Sequence, residues 1–141
     1  MIKILPILFL IMSCSNTKVI SDNSFTIIHK SDFGGSEKPG HLLIQDNETY
    51  INFIESLKLD ESQYANFLKV DFKTKNVLVL FQGQKNSGGY SIDIDSVRND
   101  NQTILVKKNE IVPKKGEIVT AVITSPFCIV LIPKGNKLII E

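Results

Sequence analysis

The second half of the chain alternates short apolar runs with glycine- and proline-rich turns, and this pattern strongly restricts the fold. The apolar run at residues 76–82 is continuous and of strand length, which indicates a central strand covered on both faces. Residues 90–95 alternate between apolar and polar, as a strand with one buried face does. Further strands are predicted at residues 103–106, 118–124, 127–132 and 138–140, with turns at 113–116 and 133–136. The spacing favours strands joined by meandering connections.

The first half of the chain adds two predicted strands, at residues 25–28 and 41–45, and then changes period. A helix is predicted from apolar residues at i, i+3, i+4 and i+7, namely Tyr50, Phe53, Ile54 and Leu57. Asp46 or Asn47 can cap its first turn, and a second short helix is predicted near Tyr64. The predicted fold class is therefore α+β, with a mostly antiparallel β-sheet of five to seven strands and one or two packed helices.

The first 14 residues have the layout of a bacterial lipoprotein signal. Lys3 supplies a cation, residues 4–12 are apolar, and the small Ser13 stands directly before Cys14. The apolar segment is shorter than the roughly 20 residues that a membrane-spanning helix needs. Cys14 is the predicted lipidation site, because its thiol can be alkylated by a diacylglyceryl group. An ordinary secretory signal, cleaved nearby and leaving Cys14 incidental, is the alternative.

Three segments of the chain follow from this pattern. Residues 1–13 are predicted to be the lipoprotein signal peptide, polar residues 14–24 a tether, and residues 25–141 a single α+β domain. A chain of 128 residues after cleavage suits one domain that buries about two-thirds of its unfolded surface. The predicted location is the bacterial cell envelope, and Ser15, which is not acidic, favours the outer membrane in a diderm host, with the domain facing the periplasm.

Charge and residue types argue against several classes of protein. Without Lys3 the chain keeps 15 basic and 15 acidic side chains, so it lacks the basic field that nucleic-acid binders need. Neither of the two histidines, His29 and His41, lies in a recognisable nucleophile context, so no catalytic residue is predicted and the chain is not expected to be an enzyme. An enzyme using either histidine as its base is the alternative. Cys14 and Cys128 lack zinc-like spacing, no metal or cofactor is predicted, and Cys128 is expected to be a buried, inert thiol.

Two segments are candidate binding loops. Residues 83–90 contain three glycines, which permit positive φ angles and expose amide groups that can pair with a peptide backbone. The second segment centres on Pro126, which restricts Ser125 to extended conformations and precedes an aromatic residue. The predicted partner-binding residues are Ser87, Gly88, Gly89, Tyr90, Ser125, Pro126 and Phe127, with the two aromatic side chains as anchors. A hairpin turn and a corner between strands, without any binding role, are the alternatives.

Residues 46–135 resemble the C-terminal domain of the PrcB family, which is named for a lipoprotein subunit of a bacterial surface protease complex. The matching features are Val70-Asp71-Phe72, Gln82-Gly83, Gly88-Gly89-Tyr90, Pro113 with Gly116, and Thr124-Ser125-Pro126-Phe127. Asn86 and Ser87 stand where the family commonly has proline and threonine. The resemblance implies a small, non-enzymatic accessory subunit, lipid-anchored in the envelope, that binds a protease or its precursor.

A looser resemblance links the same loops to chagasin-like inhibitors of cysteine peptidases. Those inhibitors use a Thr-Gly-Tyr-type loop and an Arg-Pro-aromatic loop, and Gly88-Gly89-Tyr90 followed by Pro126-Phe127 is similar in order. Ser125 occupies the arginine position, and the chain contains no tryptophan. This resemblance implies the alternative function, inhibition of papain-like enzymes.

Overall fold

The computed structural model of the protein describes residues 25–64, 67 and 69–141. The predicted signal peptide, the tether and Cys14 lie outside these residues. The described elements are β1 (Thr26–Ser31), β2 (Gly40–Ile44), α1 (Asn47–Ser56), α2 (Glu61–Tyr64), β3 (Lys75–Phe81), β4 (Ser91–Asp100), β5 (Thr103–Ile111), β6 (Phe127–Pro133) and β7 (Lys137–Ile140). Among them, no helix combines the length and apolar character that crossing a membrane requires.

The seven described strands form two sheets rather than one. The first sheet has the order β1-β6-β3-β2 and is antiparallel throughout, while the second has the order β4-β5-β7 with one parallel pair, β5 and β7. The strand number agrees with the prediction, and most pairs are antiparallel. The expectation of simple meandering connections is wrong, because the chain leaves the first sheet after β3 and returns to it at β6.

The core consists of two layers on opposite faces of the first sheet. Side chains alternate along a strand, so β3 and β6 send one set of residues towards the second sheet and the other towards α1. The layer between the sheets contains Leu78, Leu80, Ile92, Ile94, Val97, Ile104, Val106, Cys128, Val130 and Ile132. The layer beneath α1 contains Ile44, Tyr50, Ile54, Val70, Val77, Val79, Phe127 and Ile129. Coverage on both faces explains the unbroken apolar run of β3 and confirms that β3 is central.

The predicted helix is confirmed, and its first turn is capped as expected. Asp46 has extended backbone geometry, and its carboxylate accepts hydrogen bonds from the backbone N–H and the hydroxyl of Thr49, both at 2.8 Å. The second helix is a single turn that begins after Asp60, whose carboxylate accepts the Gln63 N–H at 2.9 Å.

One predicted strand, residues 118–124, is absent from the structure. These residues belong to a long connection, residues 112–126, in which only Thr124 forms an isolated bridge, with Lys85. The apolar residues here have no strand to pair with on either side, and Ile118 is 99 % exposed. An apolar run therefore predicted a strand where the fold provides no neighbour.

Three connections meet at one end of the two sheets. They are residues 32–39 between β1 and β2, residues 82–90 between β3 and β4, and residues 112–126 between β5 and β6. The strand registers place the beginning of β1 at the opposite end, where Thr26 pairs with Leu131. The described chain therefore enters the domain far from these three loops.

Candidate partner-binding surface

The two predicted binding loops lie side by side. Lys85 and Thr124 exchange both backbone hydrogen bonds, at 2.8 and 3.0 Å, and the Gly88 N–H donates to the Thr120 carbonyl at 2.9 Å. The Thr124 hydroxyl also donates to the Ser87 carbonyl at 2.8 Å. These bonds join residues far apart in the sequence and fix the two loops as one unit.

The β1–β2 connection is a third member of this unit, and the sequence analysis did not include it in the candidate site. Its Asp32 carbonyl accepts the Ser125 N–H at 2.9 Å, and its Gly35 N–H donates to the Ser125 carbonyl at 3.0 Å. The Glu37 carbonyl accepts the Gln84 N–H at 2.9 Å. Nothing local in the sequence predicts these pairs, because each depends on the register of β1, β6 and β3.

Gly89 allows the first loop to pack closely on the β5–β6 connection. Its φ of +83° lies in the left-handed region, and a Cβ at this position would lie 2.9 Å from side-chain atoms of both Pro113 and Val119. Any side chain here therefore meets strained backbone and a clash. Gly88 is buried against Thr120, whereas Gly89 itself is exposed.

Tyr90 and Phe127 have different positions. Tyr90 is half-buried, and the Lys85 ammonium lies 5.4 Å from its ring centroid, within the range of a cation–π contact. Phe127 is 1 % exposed, and its ring centroid lies 6.3 Å from that of Phe81 and 5.6 Å from that of His29. Phe127 packs in the core beneath the loops, so its ring is not accessible to a partner in this conformation. A binding role for the predicted loop residues stays a prediction.

Exposed apolar side chains lie on the same three-loop end and were not predicted as site residues. We call Phe33, Val112, Ile118 and Ile123 the loop surface. Ile118 follows a turn in which the Lys114 carbonyl accepts the Glu117 N–H at 3.0 Å, and the Lys114 N–H donates to the Glu117 carboxylate at 2.8 Å. An apolar set that a folded chain leaves in water marks an interaction site more often than scattered single residues do.

Burial shifts the pKa values of Cys128 and His29, which lie next to Phe127 and β6. Burial is the main reason that the pKa of the Cys128 thiol rises to about 12, and the nearby charge of Asp93 raises it further. The prediction that Cys128 is buried is confirmed. His29 packs between the rings of Phe67 and Phe127, and desolvation lowers its pKa. In the described residues, no group of three or more histidine, cysteine or acidic side chains is placed to hold a metal ion.

The described domain is a small two-sheet module with one helical layer and three hydrogen-bonded loops at one end. The family model described as PrcB C-terminal matches residues 76–133, from the beginning of β3 to the end of β6, and includes both predicted loops. Over this segment the chain is similar to the PrcB C-terminal family. No curated protein and no solved structure matches the chain.

Proposed function

We propose that the protein is a lipid-anchored, protein-binding module of the bacterial cell envelope, and that its partner is a secreted protease or the precursor of one. In this proposal the partner supplies catalysis and this chain supplies binding through the loop surface. The observation that carries it is the set of exposed apolar side chains on two of the three loops that hydrogen bonds hold together, Phe33 on the β1–β2 loop and Val112, Ile118 and Ile123 on the β5–β6 loop. The match of residues 76–133 to the PrcB C-terminal family model supports the association with a protease.

The position of the loop surface supports a partner in the surrounding compartment. β1 begins at Thr26, and its last residue, Ser31, lies at the loop end, about 17 Å away over five steps of 3.3 Å. If Cys14 carries a lipid, the tether joins the domain at the end opposite the loop surface. The loops then point away from the point of attachment, towards soluble or surface-bound proteins.

The energetics of docking favour the same surface. Burying a fully exposed isoleucine or valine contributes roughly 1.5–3 kcal/mol, and Ile118 has nearly all of its surface to bury. Hydrogen bonds from Gly88 to Thr120 and from Thr124 to Ser87 already order the loops before binding. Because less conformational freedom is lost on association, more of the burial energy appears as affinity.

Site-specific photocrosslinking in the native envelope tests the proposal. A photoreactive amino acid replaces Ile118 in the full-length protein, and the matched control carries it at Lys73, an exposed residue at the opposite end of the domain. Irradiation should link position 118, but not position 73, to one protein that mass spectrometry identifies as a protease or protease precursor. The same set of crosslinks at both positions, or none at position 118, would contradict the proposal.

The inhibitor alternative is not carried further, because no contact in the loops favours it. The backbone of Ser125 is hydrogen-bonded to Asp32 and Gly35, and Phe127 is buried. The second loop therefore lacks an exposed aromatic side chain of the kind that the chagasin-like resemblance implies.

A further inference from the structure

The four edges of the two sheets are not equally protected against addition of another strand. β1 and β4 each contain a register shift, between Ile27 and His29 and between Ile94 and Ser96, and β7 has only four residues. Bulges and short length are the usual means of blocking edge pairing. β2 (Gly40–Ile44) has a regular register and contains no proline, lysine, arginine or acidic residue. Of the described edges, β2 is therefore the one best suited to accept a strand.

β2 and β7 flank a groove between the two sheets. One cavity of about 280 Å³ is lined by the apolar side chains of Leu80, Ile92, Leu138 and Ile140 together with the polar ones of His41 and Lys108. A smaller cavity of about 50 Å³ continues along β2 and shares Leu138 with the first. We call the two cavities together the edge groove. It runs along β2, so a strand added to β2 would project every second side chain into it.

Asn76 provides a polar group within the edge groove. It is 2 % exposed and lines the smaller cavity, and its side-chain carbonyl oxygen has no hydrogen-bond partner among the described residues. Leaving a buried acceptor unsatisfied costs about 1–3 kcal/mol, so the groove favours an occupant that brings an N–H donor. Because β2 lies between β3 and a strand added to its edge, this donor comes from a side chain of the occupant and not from its backbone.

The charges of the edge groove select among possible occupants. Its lining includes Lys108, Lys137 and His41, and no carboxylate lines either cavity. The Lys108 ammonium is paired with Glu110 at the rim, which leaves Lys137 as the cation without a described ion pair. The positive charge of Lys137 would attract a peptide with acidic flanks.

We propose that the β2 edge and the edge groove bind an extended peptide segment of a partner protein, apolar at alternate positions and flanked by acidic residues. The peptide backbone pairs with the free edge of β2, and its apolar side chains enter the edge groove and contact Leu138 and Ile140. This proposal does not depend on the loop surface, and it holds whether or not the loops bind a protease.

The test uses synthetic peptides and the full-length protein purified in detergent. The probe is the acetylated peptide Asp-Thr-Val-Thr-Val-Thr-Asp, whose aspartates and valines share one face, with one control that has lysine for both aspartates and another that has proline for the central threonine. Fluorescence anisotropy measures affinity, and hydrogen–deuterium exchange locates binding. The acidic peptide should bind saturably and slow exchange at residues 40–44 and 137–140, while the basic peptide binds more weakly and the proline peptide does not bind.

Two pairs of charge reversals test the recognition. Lys108→Glu with Lys137→Glu should weaken binding of the acidic peptide about fivefold, because each exposed charge contributes a fraction of a kcal/mol. The matched control is Lys107→Glu with Lys115→Glu, on side chains outside the groove lining, and it should change the affinity by less than about twofold. Unchanged circular dichroism of both variants verifies the fold.

Four results would overturn the proposal. They are no binding of the acidic peptide up to about 1 mM, equal binding of the proline peptide, protection outside β2 and β7, and equal affinity in the two pairs of variants. A concentration-dependent dimer with protected β2 in sedimentation and exchange experiments would assign the edge to a second copy of the chain and also overturn it.

Discussion

Gly89 is a position at which one missing Cβ controls how two loops pack. We expect Gly89→Ala to lower the free energy of unfolding more than Gly116→Ala, although both glycines have φ near +84°. At Gly116 nothing lies within 4 Å of an added Cβ, so the substitution costs only about 1–2 kcal/mol of backbone strain. At Gly89 the clash with Pro113 and Val119 adds roughly 1–3 kcal/mol. Urea denaturation of both variants measures the difference, and equal losses would contradict close packing at Gly89.

A substitution at Ile118 should affect partner binding without affecting the stability of the fold. Because this side chain is 99 % exposed, Ile118→Ser should change the free energy of unfolding by less than about 0.5 kcal/mol. The same substitution should weaken association with the crosslinked partner about tenfold, as the loss of a well-buried interface residue does. Ile51→Ser, at an exposed position on α1, is the matched control and should leave association unchanged. Comparable effects of the two substitutions on affinity would remove Ile118 from the interface.

The N-terminal capping of α1 by Asp46 should make the stability of the fold depend on pH. Hydrogen bonds from the backbone and side chain of Thr49 lower the pKa of Asp46 below its usual value. A carboxylate with a lowered folded-state pKa stabilises the fold above its unfolded-state pKa, and this contribution is lost as pH falls through the folded-state pKa. Asp46→Asn keeps an acceptor but does not titrate. The stability of the native protein relative to this variant should therefore decrease from pH 6 to pH 2 in denaturant titrations, and a constant difference would contradict the assignment.

At the scale of elements, the sequence predicted what depends on local pattern. The period of Tyr50, Phe53 and Ile54 predicted α1, and the continuous run within β3 predicted a central strand. Residues 118–124 look similar in composition but form no strand, because a strand also needs a neighbour, and Ile118 lies where neither sheet extends. Residue type therefore predicts which segments prefer to be extended, whereas pairing depends on the rest of the chain.

At the scale of the whole molecule, the sequence pattern could not predict that the strands divide into two sheets. The alternation along β4 shows that one face is buried, but it does not say whether a helix or a second sheet covers that face. The candidate site has the same limit. Its glycines and Pro126 were recognisable, whereas the contacts of Ser125 with Asp32 and Gly35 arise only when β1 and β6 pair. For this reason the β1–β2 loop was missed, and the burial of Phe127, a predicted aromatic anchor, was not foreseen.

The ion pair between Lys30 and Asp93 joins the two sheets, so its coupling energy measures one contact between them. It joins β1 of the first sheet to β4 of the second with 2.7 Å between nitrogen and oxygen, and the two side chains are 36 % and 27 % exposed. Desolvation opposes ionisation of Asp93, but hydrogen bonds from Lys30 and the Ile94 N–H, with the Lys30 charge, outweigh it and lower the pKa. The contribution of this ion pair to the stability of the fold is therefore present above the unfolded-state pKa of Asp93. It is lost as pH falls through the lowered folded-state pKa.

A double-mutant cycle with Lys30→Met and Asp93→Asn should give a coupling energy of about 0.5–1 kcal/mol at neutral pH. The Lys107–Asp95 pair is the matched control, because it joins β5 to β4 within one sheet and its side chains are 62 % and 54 % exposed. Water screens that pair more strongly, so its coupling should be smaller, about 0–0.5 kcal/mol. If the two cycles give the same coupling, the contact between the sheets adds nothing to this ion pair, and the sheets are held together by their apolar layer alone.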